Sequence, residues 1–121
     1  MTLRLTPDLL ERMYDFLSHT QPFDEWNLPA AEDVEFRVAN AIDLHGWYRN
    51  EGTAKRPKYV IAISASVVGH SFTLMQDMAH EMVHLHQAHA KMETAGVQHN
   101  AAFKKLAAQV CRRHGFDPKR F

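Results

Sequence analysis

His80-Glu81-Met82-Val83-His84 lies within a run from Ser71 to about Ala90 whose apolar residues recur at helical spacing. Phe72, Leu74, Met75, Met78, Ala79, Met82, Val83 and Leu85 supply the periodicity, and Ser71 is placed to cap the helix. Each residue of an α-helix advances about 100° and 1.5 Å, so His80 and His84 stand one turn apart on one face. Two imidazoles so placed can grip one metal ion. Glu81 falls on the adjoining flank, near enough to act on a water beside that ion without being a ligand. The pattern H-E-x-x-H on a helix therefore reads as two ligands and a general base.

The flanking segments read as a small α+β chain. Thr6-Pro7-Asp8 has the chemistry of a helix start, with Thr as cap and Pro in the first turn, and Leu9, Leu10, Met13, Tyr14, Phe16 and Leu17 continue it to about His19. Gln21 to Asp33 contains Pro22 and Pro29 and reads as a loop, with Phe23, Trp26 and Leu28 as anchors onto the core. Val34-Glu35-Phe36-Arg37-Val38 alternates with period two, as a half-buried strand does. Leu44 to Asn50 leads through Gly52 and Pro57 into Tyr59-Val60-Ile61-Ala62-Ile63-Ser64, an antiparallel hairpin with a loose tip and a central third strand. After a short connection, Lys91 to Gln98, a last helix starts near His99-Asn100 and buries Phe103, Leu106, Ala107 and Val110. Gly115, Phe116 and Pro118 supply its stop.

The chain has 121 residues, 45% of them hydrophobic and 23% charged, which suits one globular domain with a modest core. Cys111 is the single cysteine, so no internal disulfide supports the fold, and a reducing compartment is expected. No apolar run approaches the ~20 residues of a membrane span. The start of the chain lacks the apolar core of a signal peptide. A cytoplasmic protein is the expectation. Net charge is zero but uneven: residues 1–51 hold four Arg/Lys against ten Asp/Glu, and residues 52–121 hold ten against four. The basic half permits an anionic partner such as nucleic acid or the nucleoid, although a solvated helix face and a polar hairpin tip would give the same composition.

Catalytic zinc commonly has three protein ligands. His86 and His89 point away from His80 on the same helix, about 240° and 180° round, and read as exposed residues of its polar face. His114 reads as a residue favoured by a helix C-terminus. His19, His45 and His70 read as ordinary histidines. His99 starts the last helix, where a short connection can fold it back over His80 and His84, so it is the geometric choice.

His80-Glu81-x-x-His84, then His99 fifteen positions on, then Asn100-x-x-Phe103 opening a helix, resembles the SprT-like metallopeptidases, the bacterial SprT proteins and the Spartan proteases that degrade DNA–protein crosslinks. The likeness runs from about residue 30 to residue 118 and includes the three short strands. It implies a zincin-like minimal metalloprotease domain over residues 1–121: an N-terminal helix, a three-stranded, mostly antiparallel sheet, the long H-E-x-x-H helix and a C-terminal helix. It implies Zn²⁺ on His80, His84 and His99, with Glu81 as catalytic base acting on zinc-bound water to hydrolyse protein substrates. With Cys111 alone there is no cysteine-based zinc ribbon as in SprT, and the targeting segments of Spartan proteases are not expected. Peptide deformylase, another H-E-x-x-H enzyme, takes a Cys ligand from upstream of the motif, and here the cysteine lies downstream.

On that reading the substrate adds as an extended strand along a sheet edge. Tyr48, Tyr59 and His70 are candidate donors to the oxyanion, and Asp77 is a candidate partner for a ligand's second ring nitrogen. Two alternatives carry different chemistry. One is a closed zinc site that only staples the fold, and the other is a non-catalytic module that uses its basic side to dock on nucleic acid or protein. Neither has a use for Glu81 between the two histidines.

Overall fold

The computed structural model describes residues 5–66 and 71–121, with the side chains of residues 71 and 72 left aside. The elements run α1 (Pro7–Ser18), β1 (Val34–Ala39), β2 (Gly46–Asn50), β3 (Tyr59–Ser64), α2 (Ser71–His89) and α3 (Ala101–His114). Two 3₁₀ turns, Phe23–Glu25 and Ala31–Asp33, give the Pro-containing loop after α1 more structure than its composition suggests. The architecture is mixed, three helices and one three-stranded sheet. No helix among the described residues is long and apolar enough to cross a membrane.

The strand order is β1-β3-β2, so β3 is central as its sequence predicts. The hairpin is real: β2 pairs antiparallel with β3, Tyr48 opposite Ile61. The sheet is not mostly antiparallel, however. β1 pairs with β3 in parallel, Phe36 beside Ile61, because the chain reverses on entering β2 and again on entering β3. Val34 and Phe36 turn inward, while Glu35 and Arg37 turn outward over Val60 and Ala62, their partners on β3. On that outer face Arg37 bonds both Glu35 and Glu51, and the Arg49 guanidinium lies 3.9 Å from the centre of the Trp47 ring. The stems of these long side chains cover the small apolar residues beneath them. This is why β3 reads as an unbroken apolar run rather than an alternating one.

Helix α1 starts as its sequence dictates, Leu9 N–H donating to the Thr6 hydroxyl at 3.1 Å. It buries Leu10, Tyr14 and Leu17, spaced four and three apart, whereas Phe16 is off that stripe and exposed. The Tyr14 ring packs against Phe36, and its hydroxyl donates to the Pro29 carbonyl, which ties the loop to the core. Leu74, Met78, Met82 and Leu85 carry the buried stripe of α2. Helix α3 ends at Gly115, whose φ of 78° lies in the left-handed region that glycine enters without strain, and Phe116 tucks back into the core. The cap expected of Ser71 and the donor role considered for His70 fall outside the described residues.

Candidate metal centre

Helix α2 presents His80 and His84 on one side, and the chain between α2 and α3 returns His99 to them. One donor nitrogen from each lies within 4.8 Å of the other two. His86 and His89, on the same helix, do not join this group. Phe103, one turn past His99, forms a wall to all three imidazoles, its ring centre 4.6 Å from that of His84, 4.5 Å from His99 and 5.1 Å from His80. Phe121 closes on His80 from another side, with ring centres 5.3 Å apart.

This apolar setting decides the protonation of the donors. Burial, then the neighbouring His99, holds His80 down at about 4, opposed by a hydrogen bond from its ring to the Phe121 backbone. Burial, then His80 and His99, holds His84 down at about 3. Both are therefore neutral near pH 7, the form in which an imidazole coordinates a metal. Three imidazole nitrogens set this close fit one metal ion. Glu81 is 6% exposed and carries no hydrogen bond or ion pair among the described residues. Burial, with Asp77 adding to it, pushes its carboxyl up to about 8.

These shifts fix the sign of the metal-free protein's pH dependence. His80 and His84 bind fewer protons folded than unfolded, so their contribution to stability is lost as pH falls below the ordinary 6.5. Glu81 holds a proton when folded that the unfolded chain releases, so its contribution is present below the ordinary 4.5 and is lost as pH rises toward 8. Of these three groups, the two histidines oppose Glu81 between those ordinary values, and Glu81 acts without them above 6.5. Stability in excess chelator is expected to peak near pH 6.5–7 and to fall by roughly 1 kcal/mol toward pH 5 and toward pH 8. Calorimetry across pH checks this. Glu81→Gln should abolish the alkaline fall alone, and an alkaline fall that persists would mean another group causes it.

The third donor sits beside a half-buried clip that the sequence reading did not find. Asn100 caps α3 by accepting from the Phe103 N–H at 2.9 Å, and its oxygen also accepts from Gln87 Nε2 at 2.8 Å. Its amide nitrogen donates to the Met92 carbonyl and the Thr94 hydroxyl. Gln87, 2% exposed on α2, thus holds the residue next to His99. A buried glutamine on an otherwise apolar helix face is the only signal the sequence offers for it. Asn100→Ala is expected to cost about 1–2 kcal/mol in chemical denaturation. It is also expected to weaken zinc binding by roughly 10–100-fold against a competing chelator. Thr6→Ala, which removes the α1 cap, should cost similar stability and leave zinc affinity unchanged.

Several histidines and tyrosines sit differently from expectation. His86 is not an exposed polar-face residue: Trp26, arriving from the loop after α1, stacks on it at 4.5 Å, and burial lowers its basicity. His114 is more than a helix-end charge, since its Nε2 lies 3.0 Å from the Thr20 hydroxyl and its ring packs on Phe23 and Phe116. Asp77 does not support a ligand imidazole; its Oδ2 accepts from His45 Nδ1 at 2.9 Å. The Tyr48 hydroxyl is buried without a hydrogen-bond partner among the described residues, and burial and Glu93 hold it well above its ordinary value. Tyr59 lies beside Tyr48 and meets His89 edge-on at the C-terminal end of α2. No model of a known protein family, no curated protein and no solved structure matches the chain, so what this centre does must be inferred from its own residues.

Proposed function

We propose that the protein is a zinc-dependent metallopeptidase of the zincin-like, SprT-like kind, with His80, His84 and His99 as metal ligands and Glu81 as general base. The observation that carries this is Glu81 itself, a residue 6% exposed whose carboxyl is pushed up to about 8 by burial, set one residue from His80 in a trio of imidazoles whose donor nitrogens lie within 4.8 Å of one another. A site that only stapled the fold would gain nothing from burying an acid there, because an unpaired buried carboxyl costs stability. Such combinations of burial and perturbed acidity mark functional sites.

Zinc bound there would supply Lewis acidity and bring the pKa of a water toward 7. Glu81 takes a proton from the attacking water and returns it to the departing amine, a role suited to a carboxyl poised near neutrality. Phe103 packs against all three imidazoles and Phe121 against His80, an apolar lining on one side of the site. Among the described residues strand β2 pairs with β3 on one side only, which leaves its other edge as the place for an extended peptide to add. The substrates on this reading are proteins, DNA-associated proteins among them. The test is cleavage of casein and of the protein itself by the zinc-loaded chain, with and without single-stranded DNA and with a chelator control. Cleavage that the chelator stops supports the proposal. None by a chain holding one zinc counts against it.

A second reading, a zinc-stabilised module that binds nucleic acid and cleaves nothing, is favoured by one feature of α3. Ala101–His114 has no acidic residue and exposes Lys104, Lys105, Arg112 and Arg113, which make no ion pair among the described residues. By contrast Lys58, Arg37 and Arg120 are matched by Glu35, Glu51 and Asp117. Salt-sensitive DNA binding by a protein that cleaves neither casein nor itself would select this module.

A further inference from the structure

We infer that His45 is a second catalytic residue of the proposed hydrolysis, a hydrogen-bond donor to the carbonyl oxygen under attack, and that Asp77 is the residue that positions it. This rests on the metallopeptidase reading and adds to it a group from outside the H-E-x-x-H motif.

His45 immediately precedes β2, and its own carbonyl accepts from Ser64 N–H at 2.7 Å, which fixes its backbone to the sheet. Its Nδ1 meets Asp77 Oδ2 at 2.9 Å. The two side chains differ sharply in cover: Asp77 is 12% exposed and His45 is 60% exposed. A buried carboxylate that needed only a structural partner would be expected to have a covered one. Here it holds an imidazole whose other nitrogen is left to solvent. An ionised carboxylate only accepts hydrogen bonds, so Nδ1 is the donor of this pair, and Nε2 is the ring position from which a substrate oxygen would receive its hydrogen bond.

The placement suits the reaction. Asp77 is one helical turn, about 5.4 Å, before Glu81 on α2, and it is the charge that acts on Glu81. His45 immediately precedes the edge strand β2, and its bond to Asp77 brings it to the turn of α2 that leads into Glu81. Of the tyrosines considered as donors, Tyr48 has its hydroxyl buried near Glu93, past the far end of α2, and Tyr59 lies beside it. Atoms and charge balance without a further reactant. The water oxygen bonds to the carbonyl carbon, the C–N bond breaks, and Glu81 carries the proton from water to amine. His45 stabilises the oxygen that gains charge and keeps its own proton.

The test uses the zinc-loaded full chain, wild type against His45→Ala and Asp77→Asn, with two probes read by calorimetry. A peptide phosphonate mimics the tetrahedral, charged oxygen, and a simple hydroxamate binds through the metal alone. His45→Ala is expected to weaken the phosphonate by roughly 10–100-fold and leave zinc stoichiometry and hydroxamate affinity within about twofold. In peptide hydrolysis kcat should fall roughly 100-fold with KM little changed. Asp77→Asn should give a smaller loss of the same pattern. Equal phosphonate affinity in wild type and His45→Ala would overturn the assignment while leaving the peptidase standing. A wild type that binds zinc and hydroxamate but neither binds phosphonate nor hydrolyses peptide would overturn both.

Discussion

Glu81→Gln is expected to lower zinc-dependent peptide cleavage by roughly 10²–10⁴-fold without changing the zinc content of the protein. Glutamine has nearly the shape of glutamate and leaves the three imidazoles in place, but it cannot take a proton from water. Tenfold in rate corresponds to about 1.4 kcal/mol, so the loss amounts to about 3–5 kcal/mol of barrier. The same substitution should make the metal-free protein more stable near pH 8. Wild type there bears the cost of a carboxyl whose release of a proton is resisted by burial and by Asp77, and an amide bears none of that cost. Activity lost while stability rises is the signature of a group retained for chemistry rather than for folding. Full activity in Glu81→Gln would remove the carboxyl from the mechanism. Inactivity of both proteins, with one zinc bound to each, would favour a closed structural site.

The second large effect concerns the ion. At free zinc of about 1,000 times the dissociation constant, binding to the folded state alone stabilises by about 4 kcal/mol. For a chain of this length that is a rise in melting temperature of about 15 °C over the chelated protein. His84→Ala and His99→Ala should each remove most of that rise. They should differ without metal. His99 is exposed, so its loss leaves the chelated protein as stable as wild type, whereas His84 is half-buried against Phe103 and its truncation opens a gap. Scanning calorimetry with zinc or chelator separates these cases. A full zinc-dependent rise in His99→Ala would exclude it as a ligand.

Much of the framework was legible because it is written in short-range terms. The Thr6 cap, the start of α3 near Asn100, the Gly115 stop, the β2–β3 hairpin and the placing of His80 and His84 on one side of a helix all depend on neighbours within a few residues. The convergence of His99 on the other two was also predicted, because the connection is short enough to leave few alternatives. What escaped was set by partners distant in sequence. The parallel pairing of β1 with β3 follows from two chain reversals, not from any pattern within β1. His86 reads as polar-face until Trp26 arrives from another segment to cover it. Asp77 reads as support for the metal until His45, thirty-two positions earlier, takes its carboxylate. Single residue types at such separations carry no periodicity, so nothing local announces them.

The three imidazoles are held with very different firmness, and this governs how an ion would leave. His80 and His84 belong to the middle of α2, beside Met78 and Met82, which are fully buried, so releasing either would mean disrupting the core. His99 ends the exposed stretch from residue 90 to residue 99, anchored through the neighbouring Asn100 to Gln87, Met92 and Thr94. Opening of that stretch requires no unfolding of the sheet. The dissociation lifetime of the metal should therefore follow the lifetime of the Asn100 clip rather than that of the whole molecule. A chain that unfolds slowly could still exchange its ion quickly, surrendering His99 first and regaining it last.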